Sequence, residues 1–245
     1  MPPLRGWGPP ARIISGVQAP PSFRELTLAQ FNERLASPDP VPGGGSASAV
    51  AAALGASLVA MVATLTQGRA KYADHAELCS AAEPAARALS DELLQLADDD
   101  AAAYAACAIA LKLPRESFTD QELRDRQIRE TATVAAQVPL KCVERCVDVL
   151  AIAESLAGRS NRNASSDLRV ASLLLEAAAD GAAANVLVNL PLIGTTPWTE
   201  ATAARVEQLL RDARHIARSV REVVERGEAR DALEELPTWS APVAG

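Results

Sequence analysis

Residues 40–67 read PVPGGGSASAVAAALGASLVAMVATLTQ, the longest stretch of the chain without a charged side chain. By length alone such a run can span a membrane. Alanine, serine and glycine dominate it, however, and contribute little transfer free energy to a bilayer. The stretch therefore reads as a buried helix of a water-exposed protein, apolar all round and in need of cover on every side. Pro42-Gly43-Gly44-Gly45 is its entry loop, Ser46 its expected N-cap, and Gly68 its expected stop. One helix of this kind commits the surrounding chain to packing helices against it.

The composition agrees. The chain has 245 residues, 49% hydrophobic but only 3% aromatic, and a mean hydropathy of +0.03. Alanine carries much of that apolar content, which suits close-packed helices and poorly suits strands built from β-branched and aromatic residues. A net charge of −7 and the lack of a Lys/Arg cluster argue against a nucleic-acid partner. Four Cys and two His are too few for a disulfide framework or a rich metal site. The N-terminus, rich in Pro and Gly, has no apolar signal segment, so the expected location is the cytoplasm, with no membrane partner and reduced thiols.

Working outward, Thr27 and Gln30 form a capping box for a short helix carrying Leu28, Phe31 and Leu35. A helical pattern runs from about Asp74 to Leu111, with a kink expected at Pro84 and a stop at Pro114. Thr119 with Glu122 is the expected capping box of a fourth pattern, which reaches Leu156 with an interruption at Pro139. Ser166-Asp167 opens a fifth, to about Leu190, with an apolar stripe of Val170, Leu174, Ala177, Gly181, Ala184 and Val188. Thr196-Pro197 starts the last, striped by Val206, Leu209, Ala213, Ile216, Ala217, Val220 and Val224 and ended by Gly227. No strand alternation or repeat competes. The expected fold is all-α: an elongated bundle of about six helices, several long and Pro-kinked. The expected organisation is a flexible tail over 1–24, one helical domain over 25–227, and a loosely ordered segment over 228–245 with Leu236 and Trp239 as docking points. Five other helices are few to cover the uncharged one, so a homodimer sharing that region is expected.

Polar residues in apolar registers carry the chemistry. Setting Leu89 at zero and stepping about 100° per residue, Leu93, Leu96 and Cys107 fall within about 40° of it. Asp100 falls in the middle of that face, whereas Asp98 and Asp99 fall off it and read as solvated. A carboxylate at such a position is paired, hydrogen-bonded or protonated, so Asp100 is either a structural bond or a functional group. Asn185 and Asn189, one turn apart, project from one side of the fifth helix and are either interhelical bonds or ligand contacts. Asp167 sits in a first helical turn, where the helix dipole alone accounts for it. Gly43, Gly44, Gly45 and Ser46 offer bare N–H groups to an anion but lack the lysine of a phosphate loop. Cys142 and Cys146 read as core thiols. Lys71, Lys112 and Arg115 sit where helices meet loops and are either solvated or turned to an acidic substrate.

Taken in order, these pieces resemble the formiminotetrahydrofolate cyclodeaminase / methenyltetrahydrofolate cyclohydrolase family. The resemblance rests on Pro42-Gly43-Gly44-Gly45-Ser46 with its Ala-rich helix, Arg69-Ala70-Lys71-Tyr72, Asp100-Ala101-Ala102-Ala103-Tyr104 and Lys112-Leu113-Pro114-Arg115. It continues through Val138-Pro139-Leu140, Asn161-Arg162-Asn163-Ala164-Ser165-Ser166-Asp167 and Asn185-Val186-Leu187-Val188-Asn189. It covers residues 25 to 225. Two positions depart from the family pattern: Ser160 stands where glycine is usual, and Arg162 where proline is usual, which leaves the shape of that loop open.

The resemblance implies an all-helical homodimer acting on a tetrahydrofolate one-carbon derivative, with or without a polyglutamate (polyglutamylated) tail. One family activity closes 5-formiminotetrahydrofolate to 5,10-methenyltetrahydrofolate with loss of ammonia; the other hydrolyses the methenyl bridge to 10-formyltetrahydrofolate. The short N-terminal segment predicts a stand-alone unit without a transferase domain. Asp100 is the expected acid–base group, with Lys112 as a second catalytic candidate. Asp167, Asn185 and Asn189 are the expected contacts to the pterin edge, and Gly43–Ser46 with Lys71 or Lys112 the expected contacts to the glutamate carboxylates. No metal and no cofactor beyond the folate substrate is expected. Asp167 and Asn185 lie about 27 Å apart along one helix, so they hold different parts of the ligand or meet across a dimer. A non-catalytic helical scaffold or interaction protein is the alternative reading.

Overall fold

The structure is a computed structural model and describes residues 22–237 and 239. Six α-helices follow one another: α1 (Leu28–Leu35), α2 (Gly44–Thr66), α3 (Ala76–Ala110), α4 (Phe118–Leu156), α5 (Ser165–Ile193) and α6 (Pro197–Arg226). Among the described residues there is no strand, as the composition predicts.

The uncharged helix α2 is the axis of the bundle. It packs between α3 and α5, α4 closes the gap between those two, and α6 lies outside against α4 and α5. Both neighbours run antiparallel to α2. Near its start, the Ser46 hydroxyl lies 3.0 Å from the carbonyl of Ala97, late in α3. At its end, the Gln67 amide donates to the carbonyl of Cys79, early in α3. Ala52, Ala53, Ala56, Ala60 and Ala63 are buried, with Val59 and Val62 between them. The side chains are small because the backbones nearly touch. A Cβ on Gly55 would lie 2.8 Å from Leu175 Cγ, and one on Gly181 would lie 2.5 Å from Ser48 Oγ. Larger side chains pack farther out, where Glu92 of α3 pairs with Lys141 at 2.7 Å and Arg145 at 2.9 Å on α4.

Several local expectations shift. The N-cap of α2 is Gly43, and Ser46 is a buried residue of the first turn. Its hydroxyl is taken by α3, so it cannot fold back on its own helix. Helix α4 starts two residues early, from a capping box of Ser117 and Asp120 rather than Thr119 and Glu122. Asp120 reaches back to the Ser117 N–H at 3.2 Å, so the shorter acid serves the role usually given to Glu or Gln. Pro139 does not interrupt α4, which continues through it; one missing N–H is tolerated in a helix held on several sides. In α5 the buried stripe is Leu168, Ala171, Leu175, Ala178, Ala182 and Val186, while Val170 and Val188 are exposed. The helix is apolar nearly all round, so its period did not fix which side faces inward.

The segments flanking the bundle are partly anchored. The expected tail lies outside the described residues up to position 21. From Ser22 the chain is held, the Ser22 hydroxyl and the Phe23 N–H both donating to Asp98. Asp98 is thus an anchor rather than a solvated residue. After Gly227, the Arg230 N–H donates to the Gly158 carbonyl at 3.0 Å and its guanidinium pairs with Glu154 at 3.1 Å. Leu233 and Trp239 pack against the core, while Leu236 stays exposed.

Helix α2 is not covered on every side within one chain. Leu54, Met61 and Leu65 are exposed along one line, with Leu58 half-buried between them. By length and composition α2 and the helix ending at Ile193 are each able to cross a membrane, yet 56% and 44% of their most apolar windows are buried in the bundle. The tight α2–α5 seam gives a direct prediction. Gly55→Val should lower the unfolding free energy by about 1–3 kcal/mol through overpacking against Leu175, read as a lower urea midpoint.

Candidate active site

The start of α2, the last turns of α3 and the last turns of α5 converge on a cavity of about 310 Å³. Gly43, Gly44, Gly45, Asp100, Asn185 and Asn189 all line it, together with Tyr104, Cys107, Leu111, Val188 and Leu192. Asp100 lies at the α2 N-terminus. The Ser46 hydroxyl is 3.1 Å from its Oδ2, and the hydroxyl and backbone of Ser46 both act to lower its proton affinity. Gly45 makes this approach possible, since a Cβ there would lie 2.2 Å from Asp100 Oδ1. The N-terminal N–H groups of α2 are thus turned on a carboxylate of the same chain, which they favour electrostatically.

Burial nonetheless pushes the Asp100 carboxyl above the ordinary aspartate range, with the Ser46 hydrogen bonds pulling the other way. A carboxyl with its proton affinity raised is suited to take a proton and give it back.

The two asparagines are positioned by the backbone. Asn185 Nδ2 donates to the Gly181 carbonyl at 2.8 Å. Asn189 Nδ2 donates to the Asn185 carbonyl at 2.8 Å and to the Ala135 carbonyl at 3.0 Å. Ala135 lies four residues before Pro139, which has no N–H to offer it. The proline therefore frees an acceptor in α4, and Asn189 of α5 takes it. With the amide nitrogens so engaged, neither side-chain oxygen meets a donor among the described residues, leaving both as acceptors for ligand N–H groups.

Other expected site residues lie elsewhere. Lys71 is exposed and sits over the Tyr72 ring, 5.5 Å from its centroid. The Tyr72 hydroxyl accepts from the Arg162 N–H at 3.0 Å, and the Asn161 N–H donates to Thr66 Oγ1 at 2.9 Å. Asp167 follows in the first turn of α5. Lys71 and Asp167 thus belong to the end of the bundle where α2 finishes, about 35 Å along that helix from Gly43–Ser46. Lys112 is exposed beside Leu111, outside the cavity lining. Cys142 and Cys146 are buried core thiols, as expected. Tyr104 and Cys107 were missed as lining residues. Their spacing of four and seven from Asp100 was the available signal, since those positions share its helix face. A larger groove of about 770 Å³ between α5 and α6 is lined by charges that pair with one another. Arg214 meets Asp180 at 2.6 Å and Arg221 meets Glu176 at 2.6 Å.

A family model described as Formiminotransferase-cyclodeaminase matches residues 27–208. The chain belongs to this family. It is 35% identical over 199 residues to a methenyltetrahydrofolate cyclohydrolase of Methylorubrum extorquens, covering 81% of this chain and 95% of that one. It is 36% identical over 194 residues to the formimidoyltransferase-cyclodeaminase of Rattus norvegicus, covering 79% of this chain but 36% of the rat protein. The chain therefore spans about a third of the length of that relative. The crystal structure of formiminotetrahydrofolate cyclodeaminase from Thermotoga maritima superposes with a TM-score of 0.76 at 25% identity, over 83% of this chain and 98% of that one. The helical fold is thus that of the cyclodeaminase family, and the whole cavity lies within the family match.

The raised proton affinity of Asp100 has a consequence for stability. Its folded value lies above its unfolded one, so the charged form is disfavoured by folding and stability falls as pH rises through the folded value. Asp100→Asn should therefore raise the melting temperature at pH 7 relative to the parent. The gain should shrink as the pH is lowered past the ordinary aspartate range, which a thermal-melt series in pH checks.

Proposed function

We propose that the chain is a folate one-carbon enzyme acting on the bridging carbon between N5 and N10 of tetrahydrofolate. It hydrolyses 5,10-methenyltetrahydrofolate to 10-formyltetrahydrofolate, cyclises 5-formiminotetrahydrofolate with release of ammonia, or does both. The observation that carries the reading is a carboxyl of raised proton affinity, Asp100, in a cavity beside two asparagine oxygens. The cyclohydrolase is placed first because the relative of that name is matched along nearly its full length.

Both reactions suit this geometry. In hydrolysis, water adds to the cationic methenyl carbon and gives one proton to Asp100. The C–N5 bond then breaks, N5 takes a proton, and one proton leaves to solvent. In cyclisation, N10 attacks the protonated formimino carbon. Asp100 carries the N10 proton to the departing nitrogen, which leaves as ammonia while the cation closes. A carboxylate attracts the cation in both cases and moves the proton in both. No electrons change hands, so the reading needs no cofactor beyond the folate itself. Asn185 and Asn189 offer oxygens to the N–H groups of the pterin edge. Lys112, exposed beside Leu111, is assigned to the acidic tail of the substrate.

The active unit is proposed to be a homodimer. The support is the uncharged line of Leu54, Leu58, Met61 and Leu65, left uncovered on the helix that most needs cover. Pairing two such helices antiparallel about a two-fold axis places Gly43–Ser46 of one copy near the Lys71 and Asp167 end of the other. A site made from both ends would then reach the glutamate tail, single or polyglutamate, from the partner. Leu54→Glu with Met61→Glu should convert a dimer to a monomer, read as a halved mass in sedimentation.

The activity is tested by following methenyltetrahydrofolate absorbance, as its decay and as its appearance from formiminotetrahydrofolate. Asp100→Asn should lower kcat by about 100- to 10,000-fold with folding retained. Gly45→Ala should act in the same direction by displacing the carboxylate. Unchanged turnover in Asp100→Asn would remove the acid–base assignment. Silence of the parent in both directions, without folate binding, would return the chain to a helical scaffold.

A further inference from the structure

Tyr104 follows Asp100 by one helical turn on α3, so the two side chains leave the same face about 6 Å apart along the axis. Among the described residues it is the only aromatic side chain lining the cavity. Aromatic residues make up 3% of the chain; Phe31 is buried and Phe23 packs edge-on against it. Tyr104 instead remains 48% exposed, and its hydroxyl has no hydrogen-bond partner among the described residues. Packing does not account for it. Leu111, Val188 and Leu192, also exposed, complete an apolar wall with it. The cavity thus joins a carboxylate and amide oxygens to an aromatic face.

Building on the proposed folate reading, we propose that Tyr104 is the platform on which the planar, cationic head of the ligand stacks, making it the residue that separates the closed cation from folates with an uncharged head. A delocalised cation is attracted by the face of an aromatic ring, and the attraction is stronger where water is excluded. Asp100 meets the cation from the adjoining turn. Once the ring opens, the charge is lost and the face holds only a neutral ligand by dispersion. The same residue that favours the methenyl cation therefore eases release of the neutral open form.

The test compares Tyr104→Leu and Tyr104→Phe in the full-length protein. Leucine keeps apolar bulk and helix propensity but removes the π face; phenylalanine keeps the face and removes the hydroxyl. Steady-state hydrolysis gives KM and kcat for methenyltetrahydrofolate, and competition gives Ki for tetrahydrofolate, whose head is uncharged. Tyr104→Leu should raise KM roughly five- to thirty-fold, with kcat and the tetrahydrofolate Ki each changed less than about threefold. Tyr104→Phe should leave all three within about threefold of the parent, and melting temperatures should match. An unchanged KM in Tyr104→Leu overturns the inference. So does an equal rise in KM and Ki, which marks general packing, or a Tyr104→Phe that fails like leucine, which marks the hydroxyl. In those three cases the folate reading stands. A parent protein that neither turns over nor binds any folate overturns that reading and this inference together.

Discussion

A helix of alanine, serine and glycine can be buried only if its neighbours come close enough to touch its backbone. That constraint organises this chain. The buried faces of helix α2 carry no side chain longer than valine, so α5 approaches until the Cβ positions at Gly55 and Gly181 are already filled by Leu175 and Ser48, and α3 until that at Gly45 is filled by Asp100. Dispersion and exclusion of water then act over the length of the helix, through many small contacts rather than a few large anchors. The low aromatic content follows, because a ring placed in this seam would separate the helices.

The site is a product of the same closeness. At Gly45 the missing Cβ is replaced by the carboxylate of Asp100, which brings an acid to a helix N-terminus inside a wall of the cavity. The α2 N–H groups favour its charge while burial opposes it, and burial prevails. A second local economy positions the amides. Pro139 leaves the Ala135 carbonyl without its helical donor, and Asn189 supplies one from α5. Two departures from ordinary helix chemistry, a glycine against a carboxylate and a proline inside a helix, thus hold the polar groups of the cavity in place.

The net charge of −7 sets a further condition. An acidic substrate would approach against the overall field, so attraction must be local. The cations that qualify lie at both ends of the bundle, Lys112 beside the cavity and Lys71 at the far end of α2. The proposed pairing of two copies along the uncovered line of α2 would bring these two ends together.

Much of this was legible in the sequence. The uncharged run at 40–67, the glycine and proline punctuation and the alanine content determined an all-helical bundle, because those signals act locally and hold whatever the neighbours do. Asp100 stood out for the same reason: a charge in the middle of an apolar stripe needs no tertiary information to be seen. The rest was decided by contacts between distant segments. Ser46 reads as a cap until α3 claims its hydroxyl, and Asp98 reads as solvated until Ser22 and Phe23 arrive to bind it. The inward face of α5 could not be chosen by period, since that helix is apolar on most sides and only packing against α2 and α4 selects one. Tyr104 joined the site only when α3, α5 and the entry to α2 were placed around a common space. Sequence alone determined which segments coil and which residue types had to be exceptional. Only the tertiary structure decided which exceptions meet, because hydrogen bonds and burial between helices depend on distances that local spacing along one chain does not contain.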